Sequence, residues 1–239
     1  RDPTTPFTLP VPQVGQGVVD AFAHIMEQYL TYPVNAKVQD RFAEGLLLTL
    51  VEEGPKALAN PGDYDVRANV MWCATLALNG LIGVGVPQDW ATHMVGHELT
   101  ALYNLDHAQT LAIILPNMLR ARREEKRAKL LQYAERVWGL TGGDEDTRIE
   151  AAIARTEQFF AQMGAVEDGI VESFRKGGGV PYSDFPKFQE LMRQESAAVF
   201  DQTLVDVTLP MADGLVDKLK SGIDVADVGC GAGHAINVM

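Results

Sequence analysis

Apolar residues recur at spacings of three and four along the first two thirds of the chain, the period of an amphipathic helix. After a proline-rich lead-in (Pro3, Pro6, Pro10, Pro12), this spacing predicts helices over about 18–32 and 36–53. Asn60-Pro61-Gly62-Asp63 marks a turn. A more uniformly apolar helix is expected over 66–81, closed by Gly80, Gly83 and Gly85. Pro87 and Asp89 suit the start of the next helix. Further helices are predicted over 108–122, 124–138 and, after Gly142-Gly143-Asp144, 146–163. Strand alternation is missing from this part, so it is expected to be mainly α, a helical bundle.

Near Gly164 the pattern changes. A short polar stretch over 167–175 leads to Lys176-Gly177-Gly178-Gly179, a flexible break. Helical spacing returns over 185–207 and 211–220. Ile223 to Val228 then reads as a single buried strand that runs into a glycine-rich loop. Two parts are therefore expected, 1–164 and 165–239.

Composition narrows the function classes. A chain of 239 residues, 46% hydrophobic, can bury a sizeable core. The net charge of −12 argues against a nucleic-acid partner, which would need a basic face. Apolar runs reach only a few residues, against the roughly 20 needed to span a bilayer, so no membrane helix is expected. Cys73 and Cys230 stand far apart in unlike contexts, which suits a reducing compartment. With no charged-then-apolar leader at the start, a cytoplasmic protein is expected. The first residue is Arg1 rather than Met, as expected of a piece of something longer.

Four of the five histidines lie in helical context beside one carboxylate. Asp20 and His24 are four apart, as are His93 and His97, so each pair shares a helix face. His107 follows in Asp106-His107-Ala108-Gln109. One carboxylate and several imidazoles converging from different helices describe a transition-metal site. Such donors suit Fe(II) or Zn(II) alike, and the absence of clustered cysteines favours a reactive ion over a structural one. The alternative is that these histidines are scattered through surface and core.

The stretch from Asp2 to about Gly164 resembles the C-terminal helical domain of the iron-containing (group III) alcohol dehydrogenases, a dehydroquinate synthase-like fold. It looks closest to the NADPH-dependent aldehyde reductase and butanol dehydrogenase branch. The resemblance is carried by Gly17-Val18-Val19-Asp20-Ala21-Phe22-Ala23-His24, by 87–102 and by 106–116. It implies Asp20, His24, His93 and His107 as metal ligands, and His97 as a residue near the nicotinamide that orients substrate or relays a proton. It also implies an alcohol dehydrogenase or aldehyde reductase using NAD(P)H on a small aldehyde or alcohol. Family members build the nucleotide site mainly from an N-terminal domain that does not precede Arg1 here, so this chain alone is not expected to turn over.

The tail carries a second resemblance. Val225-Ala226-Asp227-Val228-Gly229-Cys230-Gly231-Ala232-Gly233 is similar to motif I of class I S-adenosylmethionine-dependent methyltransferases. That resemblance implies Gly229, Gly231 and Gly233 as cofactor contacts, in a segment that stops before the later strands. A tight turn without a ligand fits the same glycines. Together the two resemblances imply a chimera with its seam near Gly164, whose exposed apolar face favours a homo-oligomer. A non-catalytic metal-binding module stays open as a third reading. Three smaller expectations complete the picture: a solvated face for Arg120, Arg122, Arg123, Lys126, Arg127 and Lys129, core or pocket-wall positions for Trp72, Trp90 and Trp138, and a core position for Cys73.

Overall fold

The computed structural model describes residues 2–164, 200–212, 214–223 and 225. The chain divides into two compact units, Arg1–Lys176 and Gly177–Met239. In the first, a short 3-10 turn, Thr5–Thr8, precedes seven α-helices. These are α1 (Val11–Tyr29), α2 (Lys37–Ala59), α3 (Tyr64–Leu78), α4 (Ala91–Tyr103), α5 (His107–Ala121), α6 (Arg123–Arg136) and α7 (Glu145–Gln162). The second unit contains a π-helical stretch, Phe200–Thr208, a 3-10 turn, Leu209–Met211, and α8 (Leu215–Ser221). The described residues contain no strand, and no helix among them is long and apolar enough to cross a membrane.

The mainly α bundle is as the sequence predicts, and the departures have identifiable causes. α1 begins seven residues ahead of the predicted 18, because Pro12 sits in its first turn. There the missing N–H has no partner to lose and the fixed φ is already helical. α2 continues through Pro55 to Ala59, beyond the predicted end at 53. Burial holds that last turn: Ala57 is fully covered, and a Cβ at Gly54 would meet Val18 Cγ1 and Met163 Sδ at 3.0 Å. Elsewhere local chemistry sets the boundaries. Asp63 accepts from Val66 N to start α3, and Asp144 from Thr147 N to start α7. Asn104, left-handed at φ 51°, ends α4.

α1 is the central element, packing against α2, α3 and α5. Val18, Val19, Phe22, Ala23, Ile25 and Met26 are all fully buried, so it is apolar nearly all round. That is what a helix surrounded by others requires. Phe22 meets Phe159 and Phe160 of α7 at ring-centroid distances of 5.3 and 5.5 Å. Cys73 is buried, as expected.

Two expectations are corrected here. The basic run is not a solvated face: Lys126 and Lys129 are buried on the stripe that also carries Leu130, Tyr133 and Ala134. Lys126 Nζ donates to Leu30 O at 2.6 Å and to Asp89 at 2.8 Å, and Lys129 Nζ donates to Asp40 at 2.8 Å. Arg120 joins α5 to α7 through Glu150 and Glu157. Trp72 is exposed rather than core, because the buried stripe of α3 is Val66, Cys73 and Ala77, and Trp72 points away from it. In the second unit, residues 200–208 and Leu215–Ser221 are helical where helices are predicted. Ile223 and Val225 are not in a strand. The rest of that predicted strand, with Gly229, Gly231 and Gly233, lies outside the described residues.

Candidate metal centre

Three helices bring the predicted residues together: α1 carries Asp20 and His24, α4 carries His93 and His97, and α5 opens with His107. Two close contacts set the spacing of these helices. Gly96 lets α4 lie against α5, since a Cβ there would stand 2.9 Å from Thr110 Oγ1. Gln16 on α1 donates to Asp106 Oδ2 at 2.7 Å, tying down the start of α5 next to His107.

Asp20, His93 and His107 each offer one ligand atom, all within 4.8 Å of one another. From Asp20 Oδ1 the distances are 3.8 Å to His93 Nε2 and 3.4 Å to His107 Nε2. His24 stands beside this trio, with Nδ1 3.2 Å from Asp20 Oδ1 and its ring 4.2 Å from that of His93. Its Nδ1 donates to the carbonyl oxygen of Asp20 at 2.8 Å, which leaves Nε2 as the bare nitrogen. His97 is exposed and lies parallel to His107, 5.0 Å away with 9° between the rings. Trp90 packs edge-on against His24 and His93 at 5.6 and 5.4 Å, forming a wall as expected. Two clefts of about 460 and 280 Å³ elsewhere on the first unit are lined by none of these five residues.

Electrostatics sort the group. Burial would raise the Asp20 carboxyl, but contacts from His24 and His93 and the nearby His107 outweigh it and hold it below the ordinary range. Burial would lower His93, yet the carboxylates of Glu27, bonded to its Nδ1, and of Asp20, 3.8 Å from its Nε2, bring it to about 9. Burial lowers His107, the neighbouring histidines adding to the effect against the attraction of Asp20. A proton and a metal ion compete for the same nitrogens.

The residues fit a divalent cation on their own terms. Asp20 Oδ1 and His93 Nε2 are buried and have no hydrogen-bond partner. Unpaired buried polar atoms are costly, and an ion between an oxygen and imidazole nitrogens satisfies them together. The donors are oxygen and nitrogen without thiolate, a set that borderline first-row ions accept. His93 forms the buried floor, while Asp20 and His107 are each more than a third exposed, so the site opens to one side.

Sequence reasoning missed Glu27. This buried carboxylate of α1 accepts from His93 Nδ1 and, at 2.6 Å, from Thr92 N. Its signal was available: an acidic residue three positions after His24 and seven after Asp20, on a helix buried mostly through apolar side chains.

The family described as "Fe-containing alcohol dehydrogenase family, C-terminal" matches residues 15–180. The NADPH-dependent aldehyde reductase YqhD of Escherichia coli is 69% identical over 163 residues, covering 68% of this chain and 42% of that protein. The NADH-dependent butanol dehydrogenase B of Clostridium acetobutylicum is 37% identical over 164 residues, with the same two coverages. The chain thus spans about two fifths of the length of these curated relatives. Among solved structures, the substrate- and cofactor-free aldehyde reductase YqhD superposes with a TM-score of 0.71 at 59% identity, over 82% of this chain and 50% of that one.

Proposed function

The chain belongs to the Fe-containing alcohol dehydrogenase family, and on that premise we propose that residues 1–164 are the metal-holding part of an NAD(P)H-linked aldehyde reductase. Asp20, His24, His93 and His107 hold the ion, Fe(II) or Zn(II). The observation that carries this reading is the pair of buried atoms without partners, Asp20 Oδ1 and His93 Nε2, with His107 Nε2 within reach.

A divalent ion at that point supplies Lewis-acid chemistry, drawing charge from a carbonyl oxygen so that its carbon accepts hydride. The chain's own residues do the remainder. His93 closes the floor, and Trp90 shields two imidazoles from water on one side. Asp20 and His107 border the open side, where a small aldehyde or alcohol approaches. His97, exposed and parallel to His107, exchanges a proton with solvent beside the reacting oxygen. A reduced nicotinamide would supply the hydride if bound, and Asp20 and His107 leave this open side for it and the carbonyl to be held in line.

The test is metal content by mass spectrometry on protein purified without chelator, beside His93→Ala. About one equivalent of iron or zinc, lost in the variant, is the expected result. Metal-free wild-type protein that takes up neither ion on addition would overturn the reading.

A further inference from the structure

We infer that Glu27 is a positioning residue that fixes which nitrogen of His93 faces the candidate metal. The inference rests on the proposed role of His93 as a ligand. Glu27 is 5% exposed, on the α1 face that meets the start of α4. It makes three contacts there: its carbonyl oxygen accepts from Asp89 N at 2.9 Å, Oε1 accepts from Thr92 N at 2.6 Å, and Oε2 is bonded to His93 Nδ1.

Donor and acceptor chemistry makes this contact directional. An ionised carboxylate only accepts, so Nδ1 of His93 must be the donor and carry the hydrogen. In the neutral ring the lone pair is then on Nε2, the buried atom without a protein partner that faces Asp20. A carboxylate behind the ring thus settles both the orientation and the tautomer that a ligand needs, and it raises the basicity of the ligating nitrogen. A purely structural Glu27 would serve only to anchor the first turn of α4 through Thr92.

Glu27→Gln separates the two roles. Its amide oxygen still accepts from Thr92 N, so the anchor survives. Its NH2 is a donor, which obliges Nδ1 of His93 to accept and moves the ring hydrogen to Nε2, where it blocks the ligand position. The measurement is the Zn(II) dissociation constant by competition with a chromophoric chelator, with helix content followed by circular dichroism. Imidazole nitrogen NMR reports which nitrogen of His93 carries hydrogen. The expected result is binding weakened about 10- to 100-fold, helix content kept, and the hydrogen on Nε2 in the variant.

Wild-type affinity in Glu27→Gln would overturn the inference while leaving the metal site intact. Wild-type protein that binds no zinc would overturn both. If Glu27→Gln loses its helices, Glu27→Asp takes its place, keeping the charge but withdrawing the carboxylate by one methylene. Weakened zinc binding with retained helix in Glu27→Asp supports the inference, and wild-type affinity there overturns it.

Discussion

Gly96 of α4 faces Thr110 of α5 so closely that a Cβ on the glycine would lie 2.9 Å from Thr110 Oγ1. That hydroxyl donates to the carbonyl oxygen of His107 at 2.7 Å, and Thr110 is fully buried. The closeness of two helices and the placement of a candidate ligand are therefore one feature.

Gly96→Ala tests it. Alanine gains roughly 0.5–1 kcal/mol over glycine inside a helix. Against this stands overpacking of about 1–3 kcal/mol, because a β-branched side chain cannot swing aside. Overpacking is expected to win, with a lower melting temperature by calorimetry. Zinc binding should weaken as well, since Thr110 gives way toward His107. An alanine variant that is more stable and binds zinc as tightly would show that the helices are free to separate.

Lys129 gives a larger effect away from the site. Its ammonium is buried, bonded to Asp40 at 2.8 Å and 4.0 Å from the centre of the Tyr29 ring. Glu44, itself buried, accepts from Tyr29 and Gln132 beside it. Lys129→Met would leave these carboxylates without their nearest buried cation, at a cost of about 3–5 kcal/mol. Adding Asp40→Asn should recover much of that loss. Urea unfolding of the two single variants and the double variant gives the coupling directly, and additive losses would mean the pair does not act as a unit.

These two cases mark what could be read in the sequence. The seven helices of the first unit follow from local period, visible in one dimension. Spacing within a turn pairs Asp20 with His24 and His93 with His97, but Asp20, His93 and His107 stand on three different helices, and their approach was expected from donor types and the family resemblance instead. The continuation of α2 past Pro55 was not legible, because proline propensity is local whereas Ala57 and Gly54 are held by contacts with other helices. Lys126 and Lys129 were misjudged for a related reason. Their charge suggests solvent, yet their positions fall in step with Leu130 and Tyr133 on the inner stripe. Glu27 was hidden because its partners, Thr92 and His93, lie 65 and 66 residues ahead.

Cys73 carries the pH prediction. Burial raises its thiol from 9.0 to about 11. The folded state therefore holds this proton more tightly than the unfolded chain does. The associated stability is fully present below pH 9 and is lost as pH rises toward 11. Iodoacetamide at pH 8, with Cys73 followed by peptide mass mapping, should leave it unmodified in native protein and modify it in urea. Rapid modification of the native protein would contradict its burial.

The sharpest division within the candidate site is between His24 and His97. Both are histidines on helices beside the same group, and both touch a neighbouring imidazole, His24 edge-on to His93 and His97 stacked on His107, so proximity alone does not separate them. Hydrogen bonding does. His24 donates from Nδ1 to the Asp20 carbonyl oxygen, which fixes its ring and leaves Nε2 bare, the state a metal ligand needs. His97 is exposed and meets His107 only face to face, an arrangement that suits exchange of protons with water. His24→Ala should therefore reduce bound metal well below one equivalent, whereas His97→Ala should retain it. Zinc should raise the melting temperature of His97→Ala as it does for wild type, by about 2.7 kcal/mol in stability at a hundredfold excess over the dissociation constant. For His24→Ala the same zinc concentration should give a much smaller rise. Equal stabilisation of the two variants would confine the ion to Asp20, His93 and His107, and would leave His24 as the residue that braces Asp20.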